Sequence, residues 1–295
     1  MTIDIAAAAS FMATHARVLD RRRFHLLLDE TGPGAVLAAV DAYRNPDGGY
    51  GWGLEPDLRA HESQPGGALH AFEVFHEIAP TTTGRAVELC DWLGSVSLPD
   101  GGLPFALPVA DPAGTAPFWA QADPAVAKLQ STAFVAGVAN SIAAHDPAVA
   151  EHPWLRAATR YCLDAIAAID TAPHAIELSF AVRFLDTVHA SHPEAAALLD
   201  RLGAFIPDDG LVRVEGGAED ETMRPLDFAP LPDTPARALF SAATIDAELR
   251  LLAERQQDDG GWTVDFASYS PAAALEWRGY ATVSAVSVLR HNSAL

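Results

Sequence analysis

The chain has 295 residues, 49% of them hydrophobic, and sets 19 lysines and arginines against 39 aspartates and glutamates, a formal net charge of −20 at pH 7. So acidic a chain repels phosphate backbones and anionic lipid surfaces, which argues against nucleic acid and against a peripheral membrane role. No run of 18 apolar residues is present to span a bilayer, and the N-terminus lacks the basic start of a secretory signal, so a cytoplasmic protein acting on a small molecule is expected.

Residues 3 to 30 have helical character, interrupted by polar residues and by the basic Arg21-Arg22-Arg23, and end at Gly32-Pro33-Gly34. A short helix from Ala35 to Tyr43 follows, then a long polar loop from Tyr50 to Gln64. Pro65 opens a helix with Leu69, Phe72, Phe75 and Ile78 on one side. Ala86, Leu89, Cys90 and Leu93 recur at helical spacing in the next. A second loop, Leu103 to Ala122, is rich in proline and aromatic residues. Asp123-Pro124 predicts the start of a helix running to His145, and Pro153-Trp154 that of another reaching Ile169. A helix through Ile176, Phe180 and Leu185 follows. Ser191 and Glu194 have the spacing of a capping box for a helix ending near Phe205. The third loop begins at Asp208 and is strongly acidic. Pro235 leads into a helix through Ile245, Leu249 and Leu252, and a fourth loop, Thr263 to Ala274, delivers the last helix, Leu275 to Arg290. Convincing period-2 strands are absent, so the chain is predicted to be all-α.

Asp47-Gly48-Gly49, Asp100-Gly101-Gly102 and Asp259-Gly260-Gly261 punctuate this order, with Asp209-Gly210 as a degraded copy. The first two aspartates lie 53 residues apart; the second and last lie 159 apart, three times that spacing. A fixed period of this size signals tandem structural units. The expected architecture is one domain, residues 1 to 295, in which helix hairpins form an (α/α) toroid and residues 1 to 44 close the ring. Its four long loops occupy equivalent places in the repeat and gather on one face, where helix N-termini offer unpaired N–H groups.

The stretch from Leu252 through Gln256 and Gly260 to Trp262 resembles the Gln-Trp repeat of squalene–hopene cyclases and other class II terpenoid cyclases. Asn45 through Gly48 to Tyr50 is a looser copy, and Leu98 through Gly101 to Leu103 has lost both the Gln and the aromatic residue. Trp277 to Thr282 is similar to the closing helix of the same fold. The resemblance covers most of the chain from Asn45 onward. It implies the toroid that terpenoid cyclases share with protein prenyltransferase β subunits, with Gln256 and Trp262 in structural roles. Two departures bear on the chemistry. The Asp-Xaa-Asp-Asp acid motif of class II cyclases is missing, and both cysteines sit mid-helix, where they offer no Asp-Cys-His zinc site. No metal or other cofactor is expected.

Candidate site residues cluster from Leu54 to Glu62. Pro56 stiffens the spacing between Glu55 and Asp57, and paired carboxylates with divergent proton affinities are a common acid–base device. Arg59 or His61 would hold one of them ionised; Glu62 completes the stretch. On a wet loop the same carboxylates would serve as helix caps or as partners of Arg59. Glu276, Trp277 and Arg278 at the start of the last helix form a second group, and Asp227 with Phe228 a third. Trp52, Phe118, Trp119, Phe228, Trp277 and Tyr280 are candidates for an aromatic cavity lining able to stabilise a cation; the same residues also suit plain core packing. Three functions fit. The first is a terpenoid-cyclase-like enzyme acting on a prenyl-type substrate by acid-initiated cyclisation or isomerisation, with Asp57, Glu55 and Glu276 as catalytic groups. The second is a carbohydrate-active α/α barrel using paired carboxylates. The third is a non-catalytic small-molecule binder.

Overall fold

A computed structural model describes residues 3 to 295. Fourteen α-helices carry the described residues: α1 (Ile5–His15), α2 (Val18–Leu27), α3 (Pro33–Val40), α4 (Pro65–Glu77), α5 (Gly84–Val96), α6 (Pro117–Ala120), α7 (Leu129–Ala143), α8 (Pro147–Ala150), α9 (Pro153–Ala167), α10 (Ala175–Val188), α11 (Glu194–Gly203), α12 (Pro225–Phe228), α13 (Ala242–Glu254) and α14 (Pro271–His291). The chain is all-α apart from a two-residue antiparallel ribbon, β1 (Val212–Arg213) and β2 (Thr222–Met223), too short to leave a period-2 signature. Seven helices begin on proline, whose fixed φ and missing N–H suit the first helical position. Side-chain caps from Asp4, Ser241 and Ser270 start α1, α13 and α14.

Several sequence expectations need correction. The helix expected from Asp123 begins at Leu129. Asp123 instead caps a local turn at Ala125, and Lys128 is drawn into a hydrogen bond with the Leu103 carbonyl (2.8 Å). The Ser191–Glu194 capping box does not form; the Ser191 hydroxyl donates back to the Val188 carbonyl, and α11 starts after Pro193. Pro235 opens a 3-10 turn, Pro235–Leu239, and α13 waits for Ser241. Capped by Ser270, α14 starts four residues before Leu275, so Glu276 to Arg278 lie more than a turn inside it.

Packing follows the hairpin order. α4 lies against α2, α5 and α7, α7 against α9 and α10, and α10 against α11 and α12. α12 packs on α13, α13 on α14, and α14 returns to α2 and α1. One large apolar core joins α4, α5, α7, α9, α10 and α11; a second joins α1, α13 and α14 around Phe11, Phe24 and Trp262. Each fully buried Leu or Phe in them contributes roughly 1.5–3 kcal/mol.

The repeated turn recurs as geometry. Asp47, Asp100 and Asp259 each accept the N–H two residues on at 3.0–3.1 Å, and the glycine after each has φ near +90°, where a side chain would be strained. The turns dock in the same way. The first glycine faces the carbonyl of Glu88, Ala157 or Ala7, and the second abuts the ring four residues further along that helix: Trp92 of α5, Tyr161 of α9 or Phe11 of α1. The last turn thus meets on the N-terminal helix what the first two meet on α5 and α9. Gln256 reinforces that contact, accepting from the Asp4 N–H and donating to its carbonyl, both at 2.8 Å. Trp262 donates to the Leu252 carbonyl at 2.7 Å.

Candidate active site

Leu54, Leu58 and Ala60 are buried and pin the first loop, which turns Glu55 and Asp57 toward the starts of α4 and α14. Asp57 is 3% exposed. One carboxyl oxygen accepts the Tyr269 N–H at 2.9 Å and the other the Trp277 indole N–H at 2.7 Å. Burial pushes this carboxyl above its ordinary range and outweighs the two N–H donors, with Glu55 adding repulsion. Residues distant in sequence therefore converge on one acid. The second loop joins them, because Ala116 donates its N–H to the Asp57 carbonyl and Gln64 bonds both backbone groups of Leu107.

Beneath Asp57 runs a buried line of charge. His70 of α4 lies 3.0 Å from Glu55 Oε2 through Nε2 and 3.0 Å from Glu73 Oε2 through Nδ1. Each ring nitrogen faces a carboxylate, so the arrangement calls for the imidazolium, a donor on both sides. Burial lowers its proton affinity, but Glu73 and Glu55 prevail and raise the pKa to about 9. Against the same desolvation, His70 and Arg23 hold Glu73 down to about 2. The Tyr280 hydroxyl of α14 donates to Glu73 at 2.7 Å, and Arg23 of α2 caps the line through Glu77 at 2.6 Å, with its guanidinium 5.2 Å over the Tyr280 ring. Buried charges persist only when paired and hydrogen-bonded. Pairing here ties α2, α4 and α14 together.

Aromatic side chains cover the outer side of Asp57. Phe105 stacks on Trp119 at 4.2 Å, Phe118 meets Tyr269 at 5.4 Å, and Phe266 meets Trp277 at 5.0 Å. Trp119 lies over Gly66 at the first turn of α4, beside Glu55. Phe118 and Tyr269 remain 47% and 48% exposed, so this wall is open to solvent at its rim. His70 has both nitrogens engaged and offers no lone pair to a metal. Among the described residues, no three His, Cys, Asp or Glu side chains form a metal-binding group.

The structure thus brings together Asp57, Glu55, Trp277, Tyr280, Phe118 and Trp119. Arg59 and Glu276 form an ion pair of 2.6 Å near the rim, so neither Arg59 nor His61 is the partner of Glu55. The other candidates lie elsewhere. Trp52 is 56% exposed at φ +58°, bonded to Asn45 and packed on His61. His61 and Glu62 line an open cleft of about 480 Å³ with Asp47, Trp92 and Leu107. Arg278 pairs with Asp259 and covers Phe11 at 4.5 Å rather than meeting Glu276. Asp227 accepts the Arg224 N–H at the start of α12, burial pushing its carboxyl up, and Phe228 is fully buried against Phe240. His70 and Glu73 escaped the sequence reading, and Arg23, read there only as part of a basic patch on a solvated face or at an anion contact, is buried against Glu77 and Glu73. The available signal was His70 with Glu73, a polar pair three residues apart and bracketed by Leu69, Ala71, Phe72, Val74 and Phe75 in α4.

No family model and no curated protein matches the chain. Among solved structures it is similar to a crystal structure of a protein from Actinoplanes, with a TM-score of 0.53 and 17% identity over 98% of this chain and 89% of the other. At that identity the likeness bears on fold alone.

Proposed function

We propose that the chain is a terpenoid-cyclase-like enzyme built on an α/α toroid, in which Asp57 protonates a double bond of an apolar substrate. The toroid is supported by the circuit of helix contacts from α2 through α4, α7, α10, α12, α13 and α14 back to α2, and by the docking of the last repeated turn on α1. The observation that carries the chemistry is Asp57 itself, a buried carboxyl held by Trp277 and Tyr269 beneath an aromatic wall, with its proton affinity raised.

In the proposed step the Asp57 O–H bond breaks and the π electrons of the alkene form the new C–H bond, leaving a carbocation and the Asp57 carboxylate. The cation loses a proton from the neighbouring carbon either directly, giving an isomer, or after closing on a second double bond, which forms a ring and moves the positive charge to a new carbon. In both outcomes the released proton passes to the Asp57 carboxylate or to water, so one proton enters and one leaves. The faces of Trp277, Trp119 and Phe105 suit an electron-poor centre. Glu55 is committed to His70, which leaves Asp57 as the proton donor of the pair.

Incubation with squalene and with geranylgeranyl diphosphate, followed by gas chromatography–mass spectrometry, tests the reading. Wild-type protein is expected to form a cyclised or isomerised product from one of them, and Asp57→Asn to lose it by at least 100-fold, the scale of a general-acid contribution, with little change in melting temperature. Undiminished conversion by Asp57→Asn, or no conversion by the wild type, counts against it.

A further inference from the structure

Residues 117 to 126 cover the site without being tied to it. Among the described residues, every main-chain hydrogen bond they donate ends within the segment or on its neighbour Ala116. Trp119 and Ala120 donate to the Ala116 carbonyl, Gln121 to Pro117, Ala122 to Trp119 and Val126 to Asp123. The Ala125 N–H, bonded to the Asp123 side chain, is internal as well. α6 contributes no buried residue, and between Ala106 and Leu129 only Ala116 is buried. Both ends are fixed. The Ala116 N–H donates to the Asp57 carbonyl at 2.8 Å, while Ala127 bridges to Pro104 and Lys128 donates to the Leu103 carbonyl at 2.8 Å. The segment is an arm hung between two anchors.

Aromatic contact alone holds the arm down. The Trp119 ring stacks on Phe105 at 4.2 Å, and Phe118 meets Tyr269 edge-on at 5.4 Å. Phe105 belongs to the fixed floor, since Pro104 and Ala106 on either side of it are buried. Lifting the arm therefore breaks ring contacts and no main-chain bond to the body of the protein. Segments with few buried contacts open at a fraction of the cost of global unfolding. Beneath the arm the acid has no free face. Asp57 is 3% exposed, the N–H groups of Tyr269 and Trp277 occupy its two oxygens, and the Trp119 ring sits over Gly66 beside Glu55. A substrate double bond cannot reach Asp57 while these rings are in place.

We propose that residues 117 to 126 are a lid. Trp119 leaves Phe105, the arm swings about Ala116 and Ala127, and an apolar substrate enters and takes the ring faces that the lid releases. The purpose of the lid rests on the reading of Asp57 as the proton donor; its motion rests only on how the arm is tethered. Exchange of one apolar contact for another makes opening selective for apolar ligands, and closure then commits them to the site.

A thiol placed under the lid tests the motion without turnover. Gly66 lies in the first turn of α4, where an added Cβ would stand 3.4 Å from Glu55 and 3.6 Å from Trp119, in ordinary contact. Full-length Gly66→Cys is labelled with iodoacetamide and followed by peptide mass spectrometry. Cys90 and Cys162, both fully buried, serve as the clock for global unfolding in the same molecule. The introduced thiol is expected to react at least about 100-fold faster than those two, since lid opening is local. Adding Trp119→Ala should speed it by about ten-fold, the scale of one lost ring stack, while the melting temperature holds. In a protein without the added thiol, hydrogen exchange at the Tyr269 amide, which is bonded to Asp57, reads the same opening and should rise with Trp119→Ala by a similar factor. Labelling no faster than at Cys90 and Cys162, or labelling and Tyr269 exchange that ignore Trp119→Ala, overturns the proposal. Product formation by Asp57→Asn would refute the proton-donor reading and leave the lid standing.

Discussion

His70 sits between two carboxylates at 4% exposure, and that placement dominates the electrostatics of the site. Removing it leaves Glu55 and Glu73 facing each other without a cation between them. His70→Gln is expected to destabilise the protein by about 3–5 kcal/mol, the usual cost of breaking a buried pair, in urea unfolding at neutral pH. The same contact makes stability pH-dependent. The folded-state pKa is raised to about 9, so the contribution is complete below the ordinary 6.5 and is lost as pH rises through 9. Glu73, depressed to about 2, acts on the other limb; its contribution is present above the ordinary 4.5 and fades as pH falls toward 2. Unfolding at a series of pH values should show both declines in the wild type, and the alkaline one should vanish in His70→Gln. Asp57 has the opposite sense. Its raised pKa keeps the acid form longer, and kcat/KM should fall as pH rises through that value. Glu55 and Asp57 were legible in sequence because their spacing is local. His70 and Glu73 were not, since polar residues three apart on a helix mark a solvated face until α14 and α2 are known to cover them.

Turns and helices show where local rules prevail. The period of 53 residues reappears as one turn geometry used three times, each second glycine pressed against an aromatic ring. An added Cβ at Gly102 would lie 2.6 Å from the Ala127 side chain and 2.7 Å from the Tyr161 ring, so Gly102→Ala should cost about 1–3 kcal/mol. By contrast Gly34, in the first turn of α3 with nothing within 4 Å, should accept alanine with a gain of about 0.5–1 kcal/mol. Denaturant midpoints of the two variants check both signs. Helix starts marked by proline at Pro65 and Pro153 follow directly from chain chemistry, whereas the start at Pro271, capped by Ser270, was placed four residues too late at Leu275. Those set by tertiary pairing, such as Leu129, are displaced, because Lys128 finds its partner in a loop 25 residues earlier in the chain.

At the scale of the whole molecule, the N-terminal helix completes what the tandem units begin. Gln256 holds Asp4, Gly260 and Gly261 rest on Ala7 and Phe11, and Arg23 of α2 reaches the Glu73–Tyr280 pair across α4 and α14. Gln256→Ala should therefore speed amide exchange in α1 more than in α7, read by hydrogen–deuterium exchange. Sequence periodicity announced the units and left residues 1 to 44 as the expected closing piece; which of those residues receive the last turn was not legible, since α1 carries no Asp-Gly-Gly copy of its own. First-loop Asp57 meets Trp277 of the last helix, and the proposed function depends on their meeting. Proton donation by Asp57 is tested most directly by turnover in D₂O, with mass analysis of the product formed from squalene or geranylgeranyl diphosphate. One deuterium per product molecule in the wild type and no product from Asp57→Asn is the result predicted; product free of deuterium, or equally labelled product from Asp57→Asn, would contradict it.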